Sequence, residues 1–273
     1  MSSQDIALSA ATRTNLLSLT RTSRLIGRTQ ERLATGLKVN SALDDALAFF
    51  QAQGLNNRGS DLAALKNSID QGISSLKAAV QGAEALSDLV DQAKGIALQA
   101  RQTSDTSERQ NLANQFNVIR NQITDLANDS SYNGTNLIGQ TADSLTVTFD
   151  EDADHKITVT GTALDATGLS IELAASNFGS DANIDAAISD LDVAIGEIRN
   201  VSSTLGSSNS ILQIRLDFTE NLVNTLEEGA SKLINADLNE ESANLLSLQT
   251  RQQLGVTSLS LAQQSEQSVL QLF

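Results

Sequence analysis

Ile69-Asp70-Gln71-Gly72-Ile73-Ser74-Ser75-Leu76-Lys77-Ala78-Ala79-Val80-Gln81-Gly82-Ala83 lies in the middle of a seven-residue repeat that decides the fold. One heptad position holds Leu55, Leu62, Ile69, Leu76, Ala83, Val90 and Ala97, and the position three residues on holds Leu65, Gly72, Ala79, Leu86, Ala93 and Ala100. Apolar residues held at a mean spacing of about 3.5 for this long predict a helix that meets a neighbour along a coiled-coil-like seam. Ala and Gly at seam positions predict a close approach by that neighbour. A second long helix is predicted by Ile184, Leu191, Ile198, Leu205, Leu212, Thr219, Leu226 and Leu233, with Ile188, Ile195, Ser202, Asn209, Leu216, Val223 and Ala230 on the companion position. Ser202 and Asn209 interrupt its seam with polar groups that weaken it locally and help fix register. The run Leu205-Gly206-Ser207-Ser208 predicts a bend there. Between the two, Asp105 reads as a helix cap with Glu108 three residues on, and Leu112, Phe116, Ile119, Ile123 and Leu126 form the stripe of a shorter helix. That helix is expected to fold back on the first and to end near Asn128–Asn133, where Gly134 marks a turn.

The composition fits this reading. The 273 residues include no proline, no cysteine, no tryptophan, one methionine and seven phenylalanines, so the apolar content is Leu, Ile, Val and Ala. Absence of proline leaves long helices uninterrupted, and absence of cysteine excludes disulfides. A formal net charge of −15 argues against nucleic acid or an anionic membrane surface as partner. Residues 1–40 nevertheless carry Arg13, Arg21, Arg24, Arg28, Arg32 and Lys38 against Asp5 and Glu31, whereas residues 236–273 carry Arg251 against Asp237, Glu240, Glu241 and Glu266. Opposite charge on the two terminal arms is expected to favour their pairing. Leu19, Ile26 and Leu33 stand seven apart in the first arm, and Leu238, Leu245 and Leu259 with Leu248, Ala262 and Val269 line the second. Neither arm holds enough apolar surface to offset the entropy of ordering it, so both are expected to fold only against other subunits.

Residues 141–180 change character. Leu145, Val147 and Phe149 alternate with polar residues, Ile157 and Val159 repeat the period of two, and so do Leu169, Ile171 and Leu173. Two or three short strands in hairpins are predicted. Seven acidic residues against Lys156 predict that the segment is exposed.

No constellation for chemistry emerges, and no catalytic, cofactor-binding or metal-binding residue is assigned. His155 lies in Asp152-Ala153-Asp154-His155 beside Asp150 and Glu151, without the ligand ladder and glycine of a calcium loop. Asp44 and Asp45 are adjacent on a helix and point about 100° apart, which suits capping after Ser41 better than paired acid–base work. Phosphate-loop, dinucleotide and zinc-protease signatures are absent. Asn133-Gly134-Thr135 matches a glycosylation sequon and reads as a turn. There is no apolar run long enough to span a membrane, and Arg13 interrupts the one candidate for a signal-peptide apolar region, so composition alone predicts a cytoplasmic protein.

Three segments carry a family resemblance: Leu33-Ala34-Thr35-Gly36-Leu37-Lys38-Val39-Asn40-Ser41-Ala42-Leu43-Asp44-Asp45-Ala46 near the start, Ile123-Thr124-Asp125-Leu126-Ala127-Asn128-Asp129-Ser130-Ser131-Tyr132-Asn133-Gly134, and Asp237–Leu245 with the closing Gln264–Phe273. Together, in order and at the right distances from the ends, they resemble bacterial flagellins with a shortened variable region. Phe49-Phe50 depart from the small residues that often follow the Asp-Asp pair in that family. The resemblance implies a mainly α fold, an elongated rod of long coiled-coil-like helices with a small β-hairpin excursion and paired terminal helical arms. It divides the chain into an N-terminal arm (1–43), two rod halves (44–140 and 181–235), a short outer β-rich segment (141–180) and a C-terminal arm (236–273).

The implied function is that of a non-enzymatic subunit, exported unfolded without a cleaved signal and polymerised into the extracellular flagellar filament. The related alternative is a hook–filament junction protein. Implied partners are other copies of the chain, hook-associated and filament-cap proteins, the export apparatus and an export chaperone, with no cofactor. Subunit contacts are expected at Leu19, Ile26, Leu33, Leu37, Leu245, Leu259, Val269, Leu270 and Phe273, and the rod seam at Leu62, Ile69, Leu76, Val90, Leu191, Ile198 and Leu226. Enteric flagellins detected by Toll-like receptor five carry Arg-Val-Arg-Glu-Leu-Ala-Val-Gln where this chain has Gln92-Ala93-Lys94-Gly95-Ile96-Ala97-Leu98-Gln99, so weak or no recognition by that receptor is expected.

Overall fold

The computed structural model describes residues 10–270. Its elements are α1 (Ala10–Thr35), α2 (Ala46–Gln102), α3 (Thr106–Asp129), β1 (Ser144–Thr148), β2 (Lys156–Thr160), α4 (Asp181–Ile234) and α5 (Leu238–Leu270). Packing divides the chain into two compact units, one of residues 1–57 with 225–273 and one of residues 58–224. The division falls inside α2 and α4, whereas the sequence-based boundaries at 43/44 and 235/236 fall at helix ends. The first turns of α2 belong with the arms because Ala52 is buried there and Leu55 lies against Gly229.

In the unit of residues 58–224, α2 and α4 run antiparallel. Lys66 pairs with Glu220 at 3.1 Å, Lys94 with Asp192, and Arg101 with Asp185 at 2.8 Å, so the α4 partner number falls as the α2 number rises. These exposed pairs contribute little each. The aliphatic seam supplies the main stabilisation. Leu62, Ile69, Leu76, Val90, Leu191 and Ile198 are buried, as are Ala83, Ala93, Ala97, Leu205 and Leu212, and each fully buried Leu or Ile is worth about 1.5–3 kcal/mol. The helix α4 is continuous through Gly206-Ser207-Ser208. The polar interruption has a cost, since Asn209 Oδ1 is buried without a hydrogen-bond partner. Asp105 caps α3 as expected, accepting from the N–H groups of Ser107 and Glu108 at 2.8 and 2.9 Å, and Leu112, Phe116, Ile119 and Ile123 enter the same core.

Residues 144–160 form one antiparallel hairpin, with Leu145 opposite Val159 and Val147 opposite Ile157. Asp150 shapes its turn by accepting the His155 N–H and bonding the imidazole at 2.6 Å. The third strand suggested by Leu169, Ile171 and Leu173 does not form. Asp165 instead accepts the Gly168 and Thr167 N–H groups, Arg120 donates to the Ile171 carbonyl, and Ala174 donates to the Asn117 side chain. Side chains of α3 thus satisfy a backbone that a sheet would otherwise have satisfied. The chain then makes a left-handed turn with φ of 48° at Ser176, 52° at Asn177 and 58° at Phe178. Phe178 is fully buried there and meets Phe116 edge-on, with ring centroids 5.3 Å apart.

The acidic segment is therefore not simply exposed. Val147, Val159, Leu164, Ala166, Leu169, Ile171 and Phe178 all join the core, and even Asp165 is buried. Net charge misled here because the carboxylates are exposed or spent on turns while the aliphatic residues between them point inward. Glycine admits the segment to α2. A Cβ at Gly72 would lie 2.6 Å from Val147 Cγ2, and one at Gly82 would lie 2.7 Å from both Ile138 Cδ1 and Ser130 Cβ. What approaches these glycines is a strand and a loop, with Leu212 of α4 also 3.3 Å from the Gly72 position.

Two expected outcomes follow from this packing. Leu76→Asp places an uncompensated charge among fully buried aliphatics and lowers unfolding free energy by about 3 kcal/mol or more in a denaturant melt. Gly82→Ala destabilises by about 1–3 kcal/mol through overpacking, whereas Gly95→Ala, with nothing within 4 Å of the new methyl, stabilises by up to about 1 kcal/mol. Thermal melts of the two alanine variants shift in opposite directions.

Candidate subunit interface

The unit of residues 1–57 with 225–273 is built differently. Gly36, at φ +73°, ends α1 with its N–H bonded to the Arg32 carbonyl at 2.8 Å. The chain then bridges across, as Lys38 N–H donates to the Ile234 carbonyl and Ala236 N–H to the Gly36 carbonyl. Asp44 accepts from the N–H groups of Asn40 and Ser41, which hold its carboxyl below the usual range. Asp45 Oδ1 accepts the Ala48 N–H and caps α2. Both aspartates are thus occupied in turning the chain into α2.

The helices α1 and α5 pack antiparallel. Leu19 lies against Gly255, where a Cβ would come within 2.9 Å of Leu19 Cδ2, and Arg32 bonds Glu241 at 2.8 Å. Leu19, Ile26, Leu33, Leu37, Leu245 and Leu259 are half-buried. Val269, Leu270 and Phe273 lie outside the residues whose side chains are described. Of the rod-seam residues, Leu226 belongs to this unit and is buried.

Large apolar side chains remain uncovered. Leu16, Leu17, Leu246, Leu254, Val256 and Leu261 of the arms are exposed, as are Leu47 and Phe50 of the first turns of α2 and Leu43 of the turn before it, Leu43 being 98% accessible. Contiguous uncovered apolar surface is typical of places where a protein meets a partner. Sequence reading of single heptad positions did not find these residues, because heptad spacing selects the positions that meet within one pair of helices. The available signal was the flanking leucines, Leu16-Leu17 and Leu245-Leu246, which widen each stripe beyond one partner.

Opposite charge joins the arms at one point. Arg32 and the buried Glu241 form an ion pair between them, but Arg21, Arg24 and Arg28 have no carboxylate partner among the described residues, and Arg251 lines hollows with Arg21, Arg28, Arg32 and the one carboxylate Glu241. Arm pairing rests on the close leucine and glycine packing.

Comparisons with known proteins bear on this arrangement. Residues 6–143 match the bacterial flagellin N-terminal helical region and residues 188–273 match the bacterial flagellin C-terminal helical region. The chain belongs to the flagellin family. It is 34% identical to flagellin FljM of Caulobacter vibrioides across 94% of both chains, and 28% identical to a flagellin of Brucella melitensis across 95% of both. A solved structure described as a flagellar hook-associated protein of Vibrio parahaemolyticus superposes with a TM-score of 0.59, covering 70% of this chain and all of that one at 15% identity, a likeness of fold alone. This flagellin is a filament structural protein, and its family is part of the extracellular filament. The stretch between the two family matches, 144–187, holds the hairpin and the left-handed turn. No helix is long and apolar enough to cross a membrane among the described residues.

Arg32→Ala strands the Glu241 carboxylate and is expected to destabilise arm pairing by about 2 kcal/mol. Hydrogen exchange reads this directly, with faster exchange at α1 and α5 amides and unchanged exchange at residues 69–100.

Proposed function

We propose that this flagellin is exported unfolded, without a cleaved signal, and that its two arms become the inner layer of the filament. In this reading residues 1–43 and 236–273 line the channel, residues 44–140 and 181–235 form the surrounding helical layer, and the 150–156 loop of segment 141–180 faces outward. The exposed leucines of α1 and α5 carry the proposal, because a soluble monomer gains nothing from them and a neighbouring subunit would bury them. Leu19, Ile26, Leu33, Leu37, Leu245 and Leu259, with Val269, Leu270 and Phe273, would meet neighbouring subunits alongside these exposed leucines. The partners are other copies of the chain, hook-associated and filament-cap proteins at the filament ends, and an export apparatus with its chaperone. The net charge of −15 disfavours nucleic acid and anionic membranes. Deletion of residues 236–273 is expected to abolish seeded elongation, seen by negative-stain microscopy, while residues 58–224 keep their helicity. Long filaments from the truncated chain would contradict this reading.

Recognition by Toll-like receptor five is proposed to be weak. Gln92, Gly95 and Gln99 are exposed, and Lys94 is engaged by Asp192. The face therefore lacks the forked arginine donors of enteric flagellins, and neither Gln nor Lys supplies their geometry. Reporter cells given purified monomer are expected to respond at least tenfold less than to an enteric flagellin, in line with a loss of about 2 kcal/mol for interface arginines.

A further inference from the structure

Arg21, Arg28 and Arg32 recur along α1 at spacings of seven and four, which places them on one helical face. With Arg251 of α5 they line two adjoining hollows between the arms, of about 460 and 250 Å³, which share Leu25, Leu248 and Arg251. Glu241 is the only carboxylate in the lining, and it is already bonded to Arg32. Arg21, Arg28 and Arg251 are left without a carboxylate partner among the described residues. Like charges converging on a concave surface repel one another and raise a positive potential. A guanidinium fork is matched in shape to the two oxygens of a carboxylate.

Exposed carboxylates stand elsewhere in the same unit. Where the 36–45 loop meets residues 234–238, Asp44, Asp45, Asp237 and Glu240 are all exposed. Asp237 is fixed by the N–H groups of Asn239 and Glu240, as Asp44 and Asp45 are fixed by theirs. Lys38 is exposed beside them and donates to the Lys232 carbonyl, while Lys232 is engaged by Glu228.

We propose that the arginine-lined groove between α1 and α5 receives the carboxylates Asp44, Asp45, Asp237 and Glu240 of a second copy of this chain. The proposal rests on the filament reading and names the contact that orders it. The occupant is a second copy because the chain assembles with itself and carries the complementary charge on the same unit. The carboxylates stand beyond the Arg32 end of the groove and outside its Arg21–Arg28 stretch, so the contact is heterologous and repeats without closing, as a filament requires. A groove-to-groove contact would instead set arginines against arginines.

The test is a charge-swap experiment on the full chain. The groove variant is Arg21→Glu with Arg28→Glu. The acceptor variant is Asp44→Asn, Asp45→Asn, Asp237→Asn and Glu240→Arg, in which the asparagines keep the capping oxygens. All substituted side chains are exposed, and far-UV circular dichroism checks that helicity is kept. Each variant alone is expected to elongate on filament seeds at least about tenfold more slowly than wild type, since like charges now face each other. An equimolar mixture is expected to recover to within about threefold of wild type, because each reversed groove meets a reversed acceptor end. Arg24→Glu, on the same helix but outside the groove lining, is expected to elongate normally. Wild-type elongation by either variant, no recovery in the mixture, or an equal defect in Arg24→Glu overturns the proposal. Failure of the wild-type chain itself to elongate would instead overturn the filament reading, and this contact with it.

Discussion

Contact between aliphatic side chains spaced seven residues apart on α2 and α4 is the constraint on which the unit of residues 58–224 depends. Many seam positions of α2 are alanine or glycine, including Ala79, Ala83, Ala93, Ala97 and Ala100, all buried. Such small residues leave a seam too thin to complete a core with two helices. The missing volume comes from α3 and from residues 137–178, whose Leu137, Ile138, Leu164, Ile171 and Phe178 are fully or almost fully buried. Gly72 and Gly82 follow from the same constraint, since a side chain at either position would exclude the hairpin or the 130–138 loop. Three non-glycine residues in a left-handed turn are strained, and burial of Phe178 against Phe116 counts against that strain.

The arms show the opposite balance. Their helices pack closely, yet they keep leucines in contact with solvent and cluster four arginines around the single carboxylate of Glu241. In a monomer these features lower solubility and add self-repulsion. In the proposed polymer they would become contact area and a means of orienting one subunit on the next. The family is one of structural proteins, and exposed apolar side chains stand on the other unit as well, Ile211, Ile214 and Phe218 of α4 among them.

Much of the helical part was legible because heptads speak to helix pairing directly. Ile69, Leu76 and Val90 of α2 and Leu191 and Ile198 of α4 fall where a 3.5-residue period puts them, and Asp105 caps α3 through its own side chain. The segment 141–180 was less legible. Alternation at Leu169, Ile171 and Leu173 imitates a strand, but the decisive partners, Arg120 and Asn117, are about fifty residues away in sequence. Charge counting likewise could not separate Asp165, which is buried in a turn, from the exposed acids around it. On the arms, periodicity pointed to residues half-buried within the pair, such as Leu19 and Leu245, and passed over Leu17 and Leu246 on the open faces. A pattern within one chain encodes its own pairing more clearly than its pairing with other copies.

Hydrogen exchange of the free chain compared with assembled filaments tests most directly whether the arms are completed by neighbouring subunits. Amides of α1 and α5 are predicted to exchange far faster than those of residues 69–100 in the free chain, and to become as slow as the seam once filaments form. Arm amides already as protected as the seam in the free chain, with no further slowing on assembly, would contradict the account.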